Sequence, residues 1–137
     1  MNDVLLAVNG MLMRGLELNP NLLRVGASFV RETTTEPAYR LWSIGDRHPA
    51  MMRVNTGGTA VVVEVWSIPA GGLAAVLLQE PSGLSIGKVR LIDGTEVLGV
   101  LGESAACEGQ KEITEHTGWR AYLASRSKTP AGSRPRE

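Results

Sequence analysis

The sequence predicts an α+β fold: a small, mostly antiparallel β-barrel with two or three short helices. Three observations carry that prediction. Six short apolar or alternating stretches of strand length are separated by turns marked with glycine and proline. The connections are short and only one reads as a long helical crossover, which disfavours a doubly wound sheet. With 137 residues, 43% of them hydrophobic, the chain can bury one sizeable core, and a closed or half-closed barrel hides the strand edges.

The elements follow in order. Asp3 to Asn9 reads as a buried strand. Asn19 to Gly26 reads as one or two helical turns, with Asn19 as N-cap, Pro20 at the first helical position and Gly26 as the stop. Ala27 to Thr35 is β-rich and ends at Pro37. Tyr39 to Ile44 alternates up to Gly45-Asp46, and His48 to Val54 follows, closed by Gly57-Gly58. Thr59 to Ile68 is the strongest strand signal, with three valines before Glu64-Val65-Trp66. Ala70 to Gln79 has helical apolar spacing between Pro69 and Pro81. Ser85 to Ile92 and Glu96 to Leu101 flank Asp93-Gly94-Thr95, a hairpin signal whose two turn residues tolerate positive φ. Ser104 to Thr117 has no clear period. Trp119 to Ser125 reads as a terminal helix with Thr117 as a candidate cap.

Basic and acidic residues number 14 each. Four of the basic and one of the acidic residues fall within 126–137, which leaves 10 against 13 in the body. Residues 1–125 are read as one domain and 126–137 as a disordered basic tail. A faintly acidic body argues against nucleic acid as a partner. No apolar run approaches a membrane span, and no signal segment is evident. The single Cys107 excludes an internal disulfide, and cytoplasmic localisation is expected. Two distant histidines and one cysteine have no ligand-like spacing, so neither a metal nor a cofactor is expected. Cys107 reads as inert. His48 and His116 read as turn or surface histidines, with general-base work by His48 as the alternative.

The run Val8-Asn9-Gly10-Met11-Leu12-Met13-Arg14-Gly15 is the most informative stretch. A buried strand that ends in a glycine-bracketed loop places backbone N–H groups where a small anion or carbonyl can sit. The same glycines would serve a tight turn alone. Met11 and Met13 would give the loop apolar, adaptable walls. Arg14 could pair with a carboxylate through its planar fork, or simply be a surface arginine. Trp42, Trp66 and Trp119 read mainly as packing residues.

Several segments in order resemble the C-terminal domain of allophanate hydrolases. They are Val8 to Asn19, Phe29 to Glu32, Ala38 to Leu41, Glu64 to Trp66, Gly83 to Val89, Asp93 to Gly99, Glu112 to Thr114 and Gly118 to Leu123. The amidase stretch of such hydrolases is not found here, so the chain reads as the accessory domain on its own. That domain is similar in fold to the γ-glutamylcyclotransferases, also called AIG2-like. In those enzymes a Tyr-Gly-Ser-Leu-type loop binds substrate and a later glutamate moves the proton.

The resemblance implies a substrate loop at Asn9, Gly10, Met11, Leu12, Met13 and Arg14, and Glu80 as the catalytic carboxylate. A buried carboxyl at an apolar helix end can reach a pKa suited to a general base, although a solvated helix-end residue is the plain alternative. The loop lacks the tyrosine and serine of the cyclotransferases. The histidine expected in the hydrolase type aligns with Leu12, which puts any step that uses that imidazole in doubt.

The leading function is a stand-alone relative of this domain that binds or turns over a small amide- or carbamate-type metabolite of nitrogen metabolism. Two alternatives stay open. One is a non-catalytic assembly or ligand-binding module for a separate amidase. The other is a γ-glutamyl cyclotransferase forming 5-oxoproline. The implied partners are a small-molecule ligand and an amidase; a homodimer is compatible with the sequence.

Overall fold

The computed structural model describes residues 2–127. Its first strand, β1 (Asp3–Val8), leads through a long loop to α1 (Asn19–Arg24), then β2 (Ser28–Thr34), β3 (Tyr39–Ile44), β4 (His48–Arg53) and β5 (Val62–Pro69). Helix α2 (Ala70–Leu78) crosses to the hairpin β6 (Leu84–Arg90) and β7 (Glu96–Gly102). The chain continues with α3 (Ser104–Cys107), β8 (Lys111–Glu112), a 3-10 turn at Thr114–His116 and α4 (Trp119–Ser127).

The strands do not close into a barrel. They form a five-stranded sheet in the order β2-β5-β1-β7-β6 and a three-stranded sheet in the order β4-β3-β8. The pairing of β1 with β7 is parallel; the other named pairs are antiparallel. Parallel pairing needs a long connection, and here everything between β1 and β7 supplies it. The strand-length runs are therefore where the sequence places them, but the β3–β4 hairpin separates to pair with the two-residue β8. Four α-helices and a 3-10 turn stand among the described residues, against the two or three helices expected. The surplus comes from the aperiodic stretch, which holds α3, β8 and the 3-10 turn, each too short to show a period.

Both sheets feed one buried cluster. Leu6 and Val8 of β1, Val63 and Val65 of β5, and Val89 and Val97 of the β6–β7 hairpin meet Tyr39, Leu41 and Met51 of the smaller sheet. Strand β3 shows strict alternation, with Tyr39, Leu41 and Ser43 buried, as expected where one face meets the core and the other water. Strand β5 is buried at four successive positions, Val63 to Trp66: Val63 and Val65 join the core cluster, while Arg14 and Arg120 lie against Glu64 and Phe29 against Trp66.

Local chemistry departs from expectation at three places. Asn19 does not cap α1. Leu18 holds that position without a side-chain cap bond, and Asn19 Nδ2 instead donates to the carbonyl of Leu12 at 2.8 Å. In the β6–β7 turn only Gly94 has positive φ, +90°. Gly94 N donates to Leu91 O (2.9 Å) and Leu91 N to Thr95 O (2.8 Å), a turn closed by one left-handed residue rather than two. Of the stretch read as a tail, 126–137, Arg126 and Ser127 end α4; the rest lies outside the described residues.

Helix α4 is fastened to the β3–β4 turn. Tyr122 Oη donates to Asp46 Oδ1 at 2.7 Å, and Ser43 Oγ donates to the same oxygen at 2.6 Å. The Ser43 and Tyr122 hydroxyls hold the Asp46 carboxyl below its usual range. Among the described residues no helix is long and apolar enough to cross a membrane.

Candidate functional site

Strand β1 ends under a loop, Asn9 to Leu18, that is fixed by its own backbone. Met13 N donates to Gly10 O at 3.0 Å and Leu18 N to Met11 O at 3.0 Å. Asn9 Nδ2 donates to Val100 O of β7, also at 3.0 Å. The backbone N–H groups of Gly10, Met11 and Leu12 take no acceptor among the described residues.

Facing this loop is a small cavity of about 20 Å3, space for roughly one water molecule. Asn9, Gly10, Met11 and Leu12 form one wall. His48 and Pro49, the first residues of β4, form a second. Glu80 and Pro81, just beyond α2, form a third. Helix α2 ends at Leu78, and the N–H of Glu80 still bonds to Leu77 O at 3.1 Å. That extra turn, closed by Pro81, directs Glu80 inward.

Glu80 Oε2 is buried without a hydrogen-bond partner. Burial pushes its carboxyl from 4.5 up to about 7, because the charged form loses water and gains nothing in return. A carboxyl poised near neutrality beside unpaired N–H donors can exchange a proton with a polar group while those donors hold its oxygen.

The structure brings Glu80 together with Asn9, Gly10, Met11 and Leu12. It does not bring Met13 or Arg14 to this cavity. Met13 is 2% exposed and packs in the core. Arg14 turns to the opposite side, where its Nε lies 3.1 Å from Glu64 Oε2 and its guanidinium stacks 3.7 Å above the Phe29 ring. The bond from Met13 N back to Gly10 O reverses the chain between them, so alternate loop residues face different neighbours.

His48 is not the turn-exposed residue expected from its neighbours. The turn occupies Gly45 to Arg47, and His48, 9% exposed, already belongs to β4. Its Nδ1 lies 3.2 Å from Pro49 O. The tautomer that donates there leaves Nε2 as an acceptor. The signal for its burial was the strand beginning immediately after the glycine turn.

Sequence reasoning also passed over Glu64. This carboxylate is fully buried and accepts from Arg14 N (2.9 Å), Arg14 Nε (3.1 Å), Arg120 Nη2 (3.1 Å) and Trp66 Nε1 (3.2 Å). Burial acts to raise its pKa, but the N–H of Arg14, Arg120, Trp66 and the Arg14 guanidinium together bring it below the usual value. Arg120 also donates to Arg14 O at 2.5 Å. This cluster anchors the far end of the site loop to β5 and α4. An acid inside a run of valines was its visible sign.

Gly10 is required by packing. A Cβ there would lie 2.5 Å from both Cδ and Cγ of Pro49, well inside contact distance. Gly10→Ala is expected to destabilise the fold by about 1–3 kcal/mol and to displace the β4 wall of the cavity. Urea unfolding checks this; a loss below about 0.5 kcal/mol would show that Pro49 yields freely.

The comparisons with known proteins agree with this architecture. The family model described as the allophanate hydrolase C-terminal domain matches residues 4–124. Urea amidolyase of Saccharomyces cerevisiae is 30% identical over 128 residues, which cover 88% of this chain and 7% of that protein. The chain thus spans a small fraction of the curated relatives it matches. A solved uropathogenic E. coli-specific protein is 60% identical with a TM-score of 0.89, over 90% of this chain and 98% of that one. A mouse AIG2-like protein superposes with a TM-score of 0.64 at 18% identity, over 100% of this chain and 99% of that one, a likeness that speaks for fold alone. The fold is AIG2-like, and the chain belongs to the allophanate hydrolase C-terminal domain family.

Proposed function

We propose that this domain binds and turns over a small amide- or carbamate-type metabolite of nitrogen metabolism in the cytoplasm, with Glu80 moving the proton. The observation that carries the reading is the buried, unpartnered carboxyl of Glu80, pushed up to about 7, on a cavity lined also by Gly10, Met11 and Leu12, whose N–H groups are unpaired. The donors would hold a carbonyl or carboxylate oxygen, and Glu80 would take or return a proton at the neighbouring nitrogen. Met11 is the flexible part of the wall, and its thioether side chain must swing aside for anything larger than water. Family membership supports the amide and carbamate class, since the yeast relative is a urea amidolyase.

The test is a thermal-shift and ligand-detected NMR screen of wild type and Glu80→Gln. Its probes are allophanate, biuret, malonate, carbamate-like compounds and γ-glutamyl amino acids. A wild-type hit that Glu80→Gln alters, followed by turnover lost in that variant, is the expected result. No hit with either protein would overturn the reading.

A second reading has its own support. The cavity is small, and the relative's length lies mostly outside this domain, both of which suit an assembly module for a separate amidase. A pull-down with that amidase tests it. The γ-glutamyl cyclotransferase reading has less support, because the Asn9 amide is already bonded to Val100 O and the other loop residues that line the cavity, Gly10, Met11, Leu12 and Leu18, have no polar side chain.

A further inference from the structure

Helix α4 contributes no residue to the cavity that Glu80 lines. Yet the other two walls of that cavity each run back to this helix. On the loop side, Arg120 Nη2 donates to Arg14 O at 2.5 Å and to Glu64 Oε2 at 3.1 Å, while Glu64 Oε1 accepts from Arg14 N at 2.9 Å. Arg14 is thus held at both of its backbone polar groups, and only Met13 separates it from Leu12 in the cavity wall. On the strand side, Tyr122 Oη donates to Asp46 Oδ1 at 2.7 Å. Only Arg47 separates Asp46 from His48, the first residue of the β4 wall. Asp46 has a φ of +58°, a region few non-glycine residues enter, and the bonds from Tyr122 and Ser43 keep the turn in that form.

Helix geometry explains the division. Residues two apart on an α-helix project about 200° from one another, so Arg120 and Tyr122 reach different segments. The helix itself is fixed independently of both. Val62 N donates to Thr117 O at 2.9 Å just before it, and Trp119 at its start is 1% exposed. The walls also meet each other, since Gly10 has no room for a Cβ beside Pro49. In so close a contact, a displacement of one wall is passed to the other.

We propose that Arg120 and Tyr122 are positioning residues for the Glu80 site: from outside the cavity, α4 fixes the Asn9–Leu12 wall and the His48–Pro49 wall relative to one another. The catalytic meaning of this placement rests on the reading of Glu80 given above; the placement itself does not.

The test is NMR of the 15N,13C-labelled full chain, read at the amides of Gly10, Met11, Leu12 and His48 and at the Glu80 carboxyl across pH. Tyr122→Phe removes one hydroxyl and keeps the ring. Arg120→Gln removes the charged fork. Arg31→Gln breaks the exposed Arg31–Asp93 pair, which belongs to neither wall, and is the control for an ion pair lost elsewhere. Tyr122→Phe is expected to move the His48 amide most, and Arg120→Gln those of Gly10 to Leu12. In both, the Glu80 titration should fall from about 7 by at least about half a pH unit, because loosened walls admit water to a carboxyl held up by burial alone. Arg31→Gln should leave every signal in place. Loss of stability alone does not produce this pattern, since signals of the folded form report its geometry and not its population.

Wild-type amide positions and an unmoved Glu80 titration in Tyr122→Phe and Arg120→Gln, or equal changes in Arg31→Gln, would overturn the proposal. Tyr122→Phe is the milder change and decides the matter should Arg120→Gln fold poorly. A wild-type Glu80 that titrates near 4.5 would sink the proton-transfer reading instead, and the amide signals would then decide by themselves whether α4 positions the walls.

Discussion

Glu64→Ala is expected to destabilise the domain by about 3–5 kcal/mol. The reasoning starts from what the carboxylate satisfies. Its two oxygens accept four hydrogen bonds from three residues, and its side chain has no exposed surface. Removing it strands the backbone N–H of Arg14 and the indole N–H of Trp66, and brings two guanidinium groups together without their counter-charge. Both arginines are near half exposed, so water recovers part of the loss there but little of it at the backbone and indole. Against a typical total of about 5–15 kcal/mol, the loss would leave the domain near its margin. Glu64→Gln keeps an acceptor without the charge and should cost roughly half as much. Urea unfolding at pH 7 measures both; a loss below about 1.5 kcal/mol for Glu64→Ala would show that the cluster is dispensable.

Glu80→Gln should stabilise the protein above neutrality by about 2 kcal/mol while removing the proton transfer proposed for this residue. The sign follows from proton counting. Glu80 ionises near 4.5 when unfolded and near 7 when folded, so between those values the native state holds the extra proton and stability falls as pH rises. The full effect is about 3 kcal/mol above pH 7, reduced to about 2 by partial solvent access. Below pH 4.5 both states are protonated and the penalty is absent. Thermal unfolding at about pH 5 and about pH 8 should thus show wild type losing stability toward the higher pH and the variant losing much less. Equal slopes for the two proteins would mean that Glu80 finds a partner in solution. Glu64 acts in the opposite sense: its folded pKa is lowered, so its contribution is present above the unfolded value and fades as acid protonates it. Glu64 limits the acid side and Glu80 the alkaline side.

Much of this was legible in residues of strong local character. Proline and glycine bracketed α1 and α2, and the valine run announced β5. Pairing was another matter. Nothing local states that β1 takes β7 as a parallel neighbour, or that Trp42 and Ser43 of β3 register with Glu112 and Lys111; such contacts depend on the whole chain. The site divided in the same way. Glu80 and the Asn9–Leu12 loop could be paired through family resemblance. Met13 and Arg14 were grouped with them by adjacency, and adjacency is a poor guide where the backbone reverses. His48 looked like a turn residue because its burial depends on tertiary placement. Glu64 was visible as an acid among valines, yet its purpose required α4, which arrives more than fifty residues later.

The sheet order has one more consequence. The loop of the cavity leaves the end of β1, the middle strand of five, covered by β5 on one side and β7 on the other. Edge strands β2 and β6 can fray while that middle strand keeps both neighbours. Amide exchange along β1 should therefore be among the slowest in the domain, and the loop's anchor should persist until the fold opens as a whole. Damage at the periphery would then shorten the protein's lifetime before it altered the loop in the surviving molecules.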